Sequence, residues 1–395
     1  MMNNNFVCFF YVCVLMSIMG CVGKKNKTLN DVSFPIIIDI NEALRNKIGY
    51  KLSDIVDSIA YIAIVSSPEY PEGSVNTNKI KISQNFIIAE SYWRSGVLVC
   101  FDKNGKYFKK ISQKGRGPGE YNSIKDVAID EENDIVYVLS SWEKKIFKYS
   151  FQGKFLGAIN LSDVADKIDV GSSGRLLVHF PNYSGNLQYS CLLIDYSGKT
   201  VNKLQNHIFY NLNSERKIFE NEGISYIYND QIHIKNKSDT LFVVENDQFR
   251  PKYIFNTGVK YPNNMMQLEY DQIIPFRYIM ETDGKVFFNF RLNQKWYDAY
   301  YDKNLRKAFS APSSIINDMG DSDYFSFIYS DYQYNDKIIK RRNFEFDRGK
   351  LKEKVTSEKY ITITNMLDRL EDEDPAILSI LYLKKSENYK KSLNY

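Results

Sequence analysis

Short apolar runs, separated by polar turns, repeat along most of the chain. Between 124 and 160 the sequence reads IKDVAID-EEND-IVYVLSS-WEK-KIFKYS-FQG-KFLGAIN. Four runs rich in Val, Ile, Phe and Tyr, each closed by turn residues, predict a four-stranded antiparallel meander. Its last hairpin turns on glycine, which takes positive φ at little cost. The same hairpin returns as CFDKNGKYFKKI at 100–111 and LIDYSGKTVNKL at 193–204. Looser copies are VVENDQFRPKYI at 243–254 and AYYDKNLRKAF at 299–309. Gly105, Gly153, Gly198, Gln248 and Leu305 then occupy equivalent places, 45 to 57 residues apart. A period of this kind marks a repeat architecture.

One four-stranded meander per period predicts a β-propeller blade. Five hairpins are visible, residues 320–347 supply further strands such as DYFSFIYSD, and the flanks hold chain for one more blade. The expected fold is all-β: a six-bladed β-propeller of four-stranded antiparallel blades over residues 54–395. Seven blades rank second, and a two-sheet sandwich, which would not repeat its turn glycine, ranks below both. An unclosed ring leaves two sheet edges bare. Two orphan strands can close it, SIAYIAIVSS (58–67) and PAILSILYLKK (375–385). Both are expected in the last blade, with the N-terminal strand outermost. TSEKYITITNMLDRLEDED, with Thr356 or Ser357 as cap and Pro375 as stop, predicts a short helix near the C-terminus. Continuation of that helix through 375–385 is the alternative to a closing strand.

Composition narrows the partners. The 395 residues include 30 Tyr and 25 Phe, which favour strands. Fifty-two basic and 48 acidic residues leave a formal charge of +4. No Lys/Arg run marks a nucleic-acid footprint, so no nucleic-acid partner is expected. Phe6 to Met19 is apolar except for Ser17. That run is shorter than the ~20 residues of a membrane-spanning helix and suits the core of a signal peptide. It ends in Ser17-Ile18-Met19-Gly20-Cys21, which resembles a bacterial lipobox. In that pattern cleavage precedes the cysteine, whose sulfur is lipidated. Residues 1–20 are thus read as a lipoprotein signal peptide, and 21–53 as the lipidated Cys21 and its tether. Met1 to Asn5 lacks the Lys or Arg usual in such signals, and an ordinary secretory signal is the alternative. No acidic residues follow Cys21 directly. The expected location is the cell envelope, on the outer membrane facing the periplasm, with the cell surface as alternative. Cys100 and Cys191 lie in apolar strand-like runs and read as separate buried thiols rather than a disulfide. No cysteine spacing resembles a metal site.

One connection stands apart. KGRGPGEY, residues 114–121, concentrates three glycines and a proline beside Arg116 and Glu120, in a chain with only 20 Gly and 10 Pro. ISQKGRGPGEYNSIKDVAID runs from the outer strand of one meander to the inner strand of the next. With FDKNGK before it, it resembles a family of six-bladed, NHL-like propeller lipoproteins of Gram-negative bacteria, whose most specific short motif is GRGPGEY. The resemblance spans about 54–385, from DIVDSIAYIAIVSS to EDEDPAILSILYLKK, and departs in blades four to six, where the turn glycines are lost. It implies a fold and an anchor, and no settled reaction.

In a propeller the crossovers share a face with the loops joining second and third strands. Here those loops are SYWRSG (91–96), SSWEKK (140–145), PNYSGNLQY (181–189), NKSD (236–239) and RLNQKW (291–296). All three tryptophans, Trp93, Trp142 and Trp296, fall in or beside them. Two readings compete. In one, the tryptophans pack between blades while Arg116 and Glu120 tie down the crossover. In the other, Trp93, Arg94, Arg116, Glu120, Tyr121, Trp142, Tyr183 and Trp296 form a rim that binds a glycan, peptide or protein. A propeller enzyme, lyase or lactonase-like, would need His or carboxylate ligands converging on a metal-bound water. His179 and His233 read as ordinary strand residues, and His207 follows an outer strand. Asp318, Asp321 and Asp323 read as a solvated acidic turn. No GxSxG, P-loop or HExxH motif occurs. The expectation is a membrane-anchored binding module with no catalytic residues, metal or cofactor. The propeller enzyme and a structural scaffold of an outer-membrane assembly are the alternatives.

Overall fold

The computed structural model describes residues 34–49, 51–64, 75–91, 96–183, 185–206, 223–236, 238–258, 276–293, 295–311, 315–319, 324–325, 330–342 and 376–385. The described residues are all-β apart from short helices at Ile40–Arg45 and Leu52–Asp54. Four sheets of four antiparallel strands cover 75–112, 126–160, 167–205 and 276–311. A nine-stranded sheet holds two more such units. One is Ile224–Tyr228, Gln231–Lys235, Thr240–Glu245 and Gln248–Asn256. The other is Ser330–Tyr334, Lys337–Arg342, Ala376–Leu383 and Val56–Ile64. These units are called first to sixth below, in the order of their first strands. The first strands of the sixth, first, second and third units lie side by side in that order, and that of the fourth lies beside those of the fifth and sixth, so the arrangement is propeller-like.

Each sheet is sandwiched between two others, which explains why its middle strands read as continuous apolar runs. In Ile135–Ser140 all residues after the first are buried, whereas the outermost strand Phe155–Asn160 buries only Ile159. Apolar clusters fill each gap between neighbouring units. Ile88 and Leu98 of the first unit meet Val127 and Val138 of the second. Ile62, Ile64 and Leu378 of the sixth pack on Ile80 and Ile82 of the first.

The expected closure is present. Val56–Ile64 pairs antiparallel with Ala376–Leu383, which pairs with Lys337–Arg342. The N-terminal strand is therefore outermost, and residues 376–383 form a strand rather than more helix. The helix expected over 356–374 lies outside the described residues. The hairpin glycines have a packing reason as well as a conformational one. Gly105, Gly153 and Gly198 have φ of 85°, 79° and 92°. A Cβ on each would come within 2.4 to 2.7 Å of Ala63, Lys110 and Ile159, on the outer strand of the preceding unit. In the fourth and fifth units the left-handed positions are Asn246, Asp247 and Arg306, not the aligned Gln248 and Leu305.

The segment read as tether is folded from Phe34 onward and acts as a belt. Ile36–Asp39 adds a parallel strand to the outer edge of the fourth unit. Asp39 caps the following helix by accepting from the Asn41 and Glu42 amides. Lys47 then bridges to Ser310 on the outer strand of the fifth unit, before the chain enters the sixth. The belt thus covers sheet edges that would otherwise expose unpaired backbone groups.

Candidate functional site

The strand order defines two faces. First-to-second and third-to-fourth turns form one, the turn face. Second-to-third loops and the crossovers between units form the other, the loop face. On the turn face, hydrogen bonds join the first unit to the second, the third to the fourth and the fourth to the sixth. The Asn85 side chain donates to Glu131, the Ser172 amide to the Asp230 carbonyl (3.0 Å) and the Asn335 side chain to Asp230 (2.7 Å).

The crossover KGRGPGEY lies on the loop face, and its residue choice is legible in its geometry. Lys114 and Tyr121 form a parallel bridge, with the Gly115 amide donating to the Tyr121 carbonyl at 3.0 Å. Between them Glu120 folds back over the glycines. Its carboxylate accepts from the Gln113 amide and the Gly117 backbone, both at 2.8 Å, and these donors hold it below the usual carboxylate range. A Cβ on Gly115 would sit 1.9 Å from that carboxylate. Gly119, with φ of 77°, leaves room for Phe155, which a Cβ would meet at 2.7 Å. Tyr121 is fully buried; its hydroxyl donates to the Gly96 carbonyl (3.1 Å) and accepts from the Ser112 hydroxyl (2.8 Å). The crossover is thereby clamped to the second-to-third loop of the first unit. Arg116 and Glu120 do not pair with each other. The Glu120 carboxylate is occupied by amide donors, and the exposed Arg116 side chain has no acidic partner among the described residues.

The other rim residues differ in character. Trp142 is 81% exposed. It stands on the turn 141–144, which is fixed from several sides. Lys144 donates its amide to Ser141 (2.9 Å), and the Leu161 amide donates to the Lys144 carbonyl (2.7 Å). The Asn122 amide reaches Glu143 at 2.8 Å, and the Ser141 hydroxyl donates to Ala165. Trp296 is half-buried in the strand Lys295–Asp302, and the Arg277 guanidinium lies 3.7 Å from its ring centre. Arg277 is the extra residue of a β-bulge, where Phe276 and Tyr278 face Phe290 and Asn289. A bulge of this kind re-aims a side chain; here it lays an exposed arginine on the tryptophan, an arrangement that attracts through the ring quadrupole. Tyr183 is half-buried in a loop ordered by Asn182, whose side chain accepts from the Leu187 amide at 2.8 Å. Trp93, Arg94 and Cys21 lie outside the described residues.

Below the rim, first strands of five units converge on a buried polar group that sequence reasoning missed. Lys81 of the first unit lies 3.5 Å from Asp126 of the second and 3.2 Å from Asp169 of the third. Its ammonium is 4.2 Å from the Tyr332 ring centre of the sixth unit, and Ser225 of the fourth donates to Asp169. Burial would strip the proton from Lys81, but the two carboxylates outweigh it and hold its pKa above the usual lysine value. Burial pushes Asp126 up, against the pull of Lys81. Asp126 is the most accessible of the three, at 15% of its side chain, and the Ile168 amide occupies one of its oxygens at 2.9 Å. The network is saturated by its own members and reads as an ionic plug. The fifth unit contributes nothing to it, because the first strands of its two neighbours pair directly at Ile227 and Tyr334. The Gln333 side chain instead binds both the amide and the carbonyl of Glu281 in the fifth unit, at 3.0 and 2.7 Å.

Glu281 anchors a second network, between the fourth and fifth units. Its carboxylate accepts from Lys303 (2.6 Å), Tyr253 (2.7 Å), Lys252 (2.9 Å) and Tyr226 (3.1 Å). Burial opposes its charge, but the ammoniums of Lys303 and Lys252 hold it well below the usual carboxylate range. His233 stacks on Tyr226 and accepts from Lys252 at 2.8 Å through Nε2. Burial, with Lys252 alongside, lowers its pKa to about 3. His179 is also buried, with Nδ1 2.6 Å from Asp166. Both histidines are thus satisfied strand residues, as expected. Cys100 and Cys191 are buried free thiols. Asp318 bonds the Ser53 amide at 2.9 Å, while Asp321, Asp323 and His207 lie outside the described residues. Among the described residues, no three His, Cys, Asp or Glu side chains are placed to hold a metal ion. No described helix is long and apolar enough to cross a membrane.

Known structures resemble this fold at low identity. A Bacteroides fragilis protein described as exported superposes with a TM-score of 0.61 at 18% identity, covering 89% of this chain and 99% of its own. A member of the DUF4221 family from Bacteroides vulgatus gives 0.47 at 11% identity, covering 84% and 99%. BamB from Moraxella catarrhalis gives 0.39 at 11%, covering 71% and 69%. No curated protein matches the sequence. Residues 35–382 match the family described as Domain of unknown function (DUF4934), and the chain belongs to that family.

Proposed function

We propose that this chain is an exported, lipid-anchored, six-bladed propeller of the NHL-like kind, whose loop face binds a protein or glycan outside the cytoplasm. The four-stranded units are its blades, and the apolar clusters between successive units support the count. The signal-like N-terminus and the fold shared with a protein described as exported favour the location.

The observation that carries the binding reading is Trp142. A large apolar ring held in solvent on a turn fixed by four hydrogen-bonded contacts has already lost the freedom that binding would otherwise remove. Tryptophan and arginine are also the residues in which interface energy concentrates. Arg116, Trp296 and Tyr183 complete the described part of the rim, and Trp93 and Arg94, outside the described residues, belong to the same proposed site. Glu120 and Tyr121 serve it by fixing the crossover. The belt fits this orientation. Ile36–Asp39 runs parallel to Gln248–Asn256, which itself runs from the turn face to the loop face. Ile36–Asp39 therefore enters its sheet from the turn side, away from the loop face.

The test is photocrosslinking in intact cells, with benzoylphenylalanine in place of Trp142 and, as control, in place of Lys103 on the turn face. A discrete adduct from position 142 alone is expected; adducts from neither or from both positions refute a specific loop-face site. In the same cells Cys21→Ser should leave the protein unprocessed or release it from membranes. Wild-type processing and fractionation of that variant would refute the anchor.

A further inference from the structure

We infer that the loop-face half of the gap between the fifth and sixth units is a binding site for a saccharide unit. This rests on the loop-face reading above and deepens it, by choosing a glycan at the fifth unit and naming the atoms that hold it. The side of the fifth sheet that packs on the sixth unit is apolar toward the turn face, where Phe287 and Tyr300 join Ile338 and Leu381. Two residues further along each strand, toward the loop face, Asn289 and Asp298 stand opposite each other. Two further still stand Arg291 and Trp296.

The middle pair is short of donors. Asn289 is fully buried, and its side-chain oxygen has no hydrogen-bond partner. Its NH2 group donates to Oδ1 of Asp298 at 2.9 Å, and the Tyr278 hydroxyl donates to the same oxygen at 2.7 Å. Asp298 is buried too. Among the described residues nothing donates to its other oxygen, and no cation lies within ion-pair distance. Buried acceptors without donors, and buried carboxylates without cations, are costly, and native folds keep few of them. A ligand that brings donors removes both deficits.

The rim selects the kind of donor. Above the pair, the exposed Arg277 lies 3.7 Å from the ring centre of the half-buried Trp296, with the half-buried Arg291 across the strand. Neither arginine is ion-paired among the described residues. An amine entering here would meet two guanidiniums, which repel it. A hydroxyl donates to a carboxylate or amide oxygen and accepts from a guanidinium at the same time. A sugar ring carries several hydroxyls around an apolar face, and an indole offers that face a broad apolar surface. The exposed Arg277 side chain holds the place on Trp296 that the sugar ring takes over.

The experiment probes an array of immobilised mono- and oligosaccharides with the full-length protein in lauryldimethylamine oxide, a detergent without a sugar headgroup. Retention on at least one saccharide is expected. Asp298→Asn and Asn289→Leu should each weaken it about tenfold or more, and so should Arg277→Glu, while Lys103→Glu on the turn face should leave it unchanged. Circular dichroism checks that each variant is folded; should either buried variant fail, the exposed Arg277→Glu decides. Retention on no saccharide, which leaves an ordered water as the only occupant, overturns the inference. So does retention indifferent to all three loop-face variants, or a melting temperature raised by spermidine and by no saccharide. If the position-142 adduct forms but no saccharide is retained, the loop face remains a site and its ligand is not a glycan. If neither is seen, the loop-face reading itself fails.

Discussion

Glu281→Gln keeps the shape of a buried side chain and removes its charge. The wild-type carboxylate accepts from Lys303 and Tyr253 on one oxygen and from Lys252 and Tyr226 on the other. An amide has an acceptor on one side only. Whichever way it turns, its NH2 group points at one ammonium and one phenol. Removing one partner from a buried ion pair costs ~3–5 kcal/mol. The side chains of Lys252 and Lys303 remain 14% and 17% exposed, so water softens the penalty toward the lower end. A loss of about 3 kcal/mol is expected, against a total stability on the order of 5–15 kcal/mol for folded domains. The variant should fold and unfold early. Adding Lys303→Met removes one uncompensated charge and should return roughly 1 kcal/mol, because the two sites are in contact and therefore couple. The assay is urea unfolding at pH 7.5, followed by circular dichroism and tryptophan fluorescence, with free energies taken from midpoint and slope. A loss under about 1 kcal/mol, or a further loss on adding Lys303→Met, would refute this account of the network.

Acid should destabilise the protein through His233, whose pKa is about 3 when folded against ~6.5 unfolded. The neutral ring's contribution is fully present above pH ~6.5 and is lost as pH falls toward 3, at ~1.4 kcal/mol per pH unit. His233→Gln should flatten the stability profile between pH 6.5 and 4.5, and an unchanged slope would count against the assignment. In the crossover, Gly119→Ala should cost ~1–2 kcal/mol from left-handed strain alone, plus displacement of Phe155. Gly115→Ala should cost less, since only the end of the Glu120 side chain must move; urea midpoints in the reverse order would show that the Glu120 brace matters more than the backbone turn.

The meander was readable because each sheet is covered on both sides, so its middle strands appear as unbroken apolar runs between turns. The hairpin glycine was readable because it meets two demands at once, a positive φ and close contact with the preceding unit. Closure by 58–67 and 375–385 followed from counting strands against edges. The polar interior was not readable. Lys81, Asp126 and Asp169 each look like one polar residue in an apolar strand, more than 40 positions from the next. Only the convergence of the first strands makes them neighbours. The one available signal was that all three sit in the first run of successive repeats. Trp142 and Trp296 looked alike as loop tryptophans. One proves to stand on a four-residue turn in solvent, and the other to lie in a strand beneath an arginine that a bulge redirects. The belt was missed because Ile36–Asp39 is too short to stand out from a tether, and its parallel pairing has no local signature.

The joint between Val56–Ile64 and Ala376–Leu383 links positions more than 300 residues apart. Contacts this distant in sequence form slowly, because the chain between them must be gathered first. In synthesis, and in any passage across a membrane amino end first, the opening strand must wait for nearly the whole chain before it finds its partner. Until then it is a bare edge, available to the wrong neighbour. A product cut short before Ala376 is thus not a smaller version of the molecule but an arc with two adhesive ends. The joint works as a check on completeness: only a chain made through Ala376–Leu383 can bury the edge of Val56–Ile64.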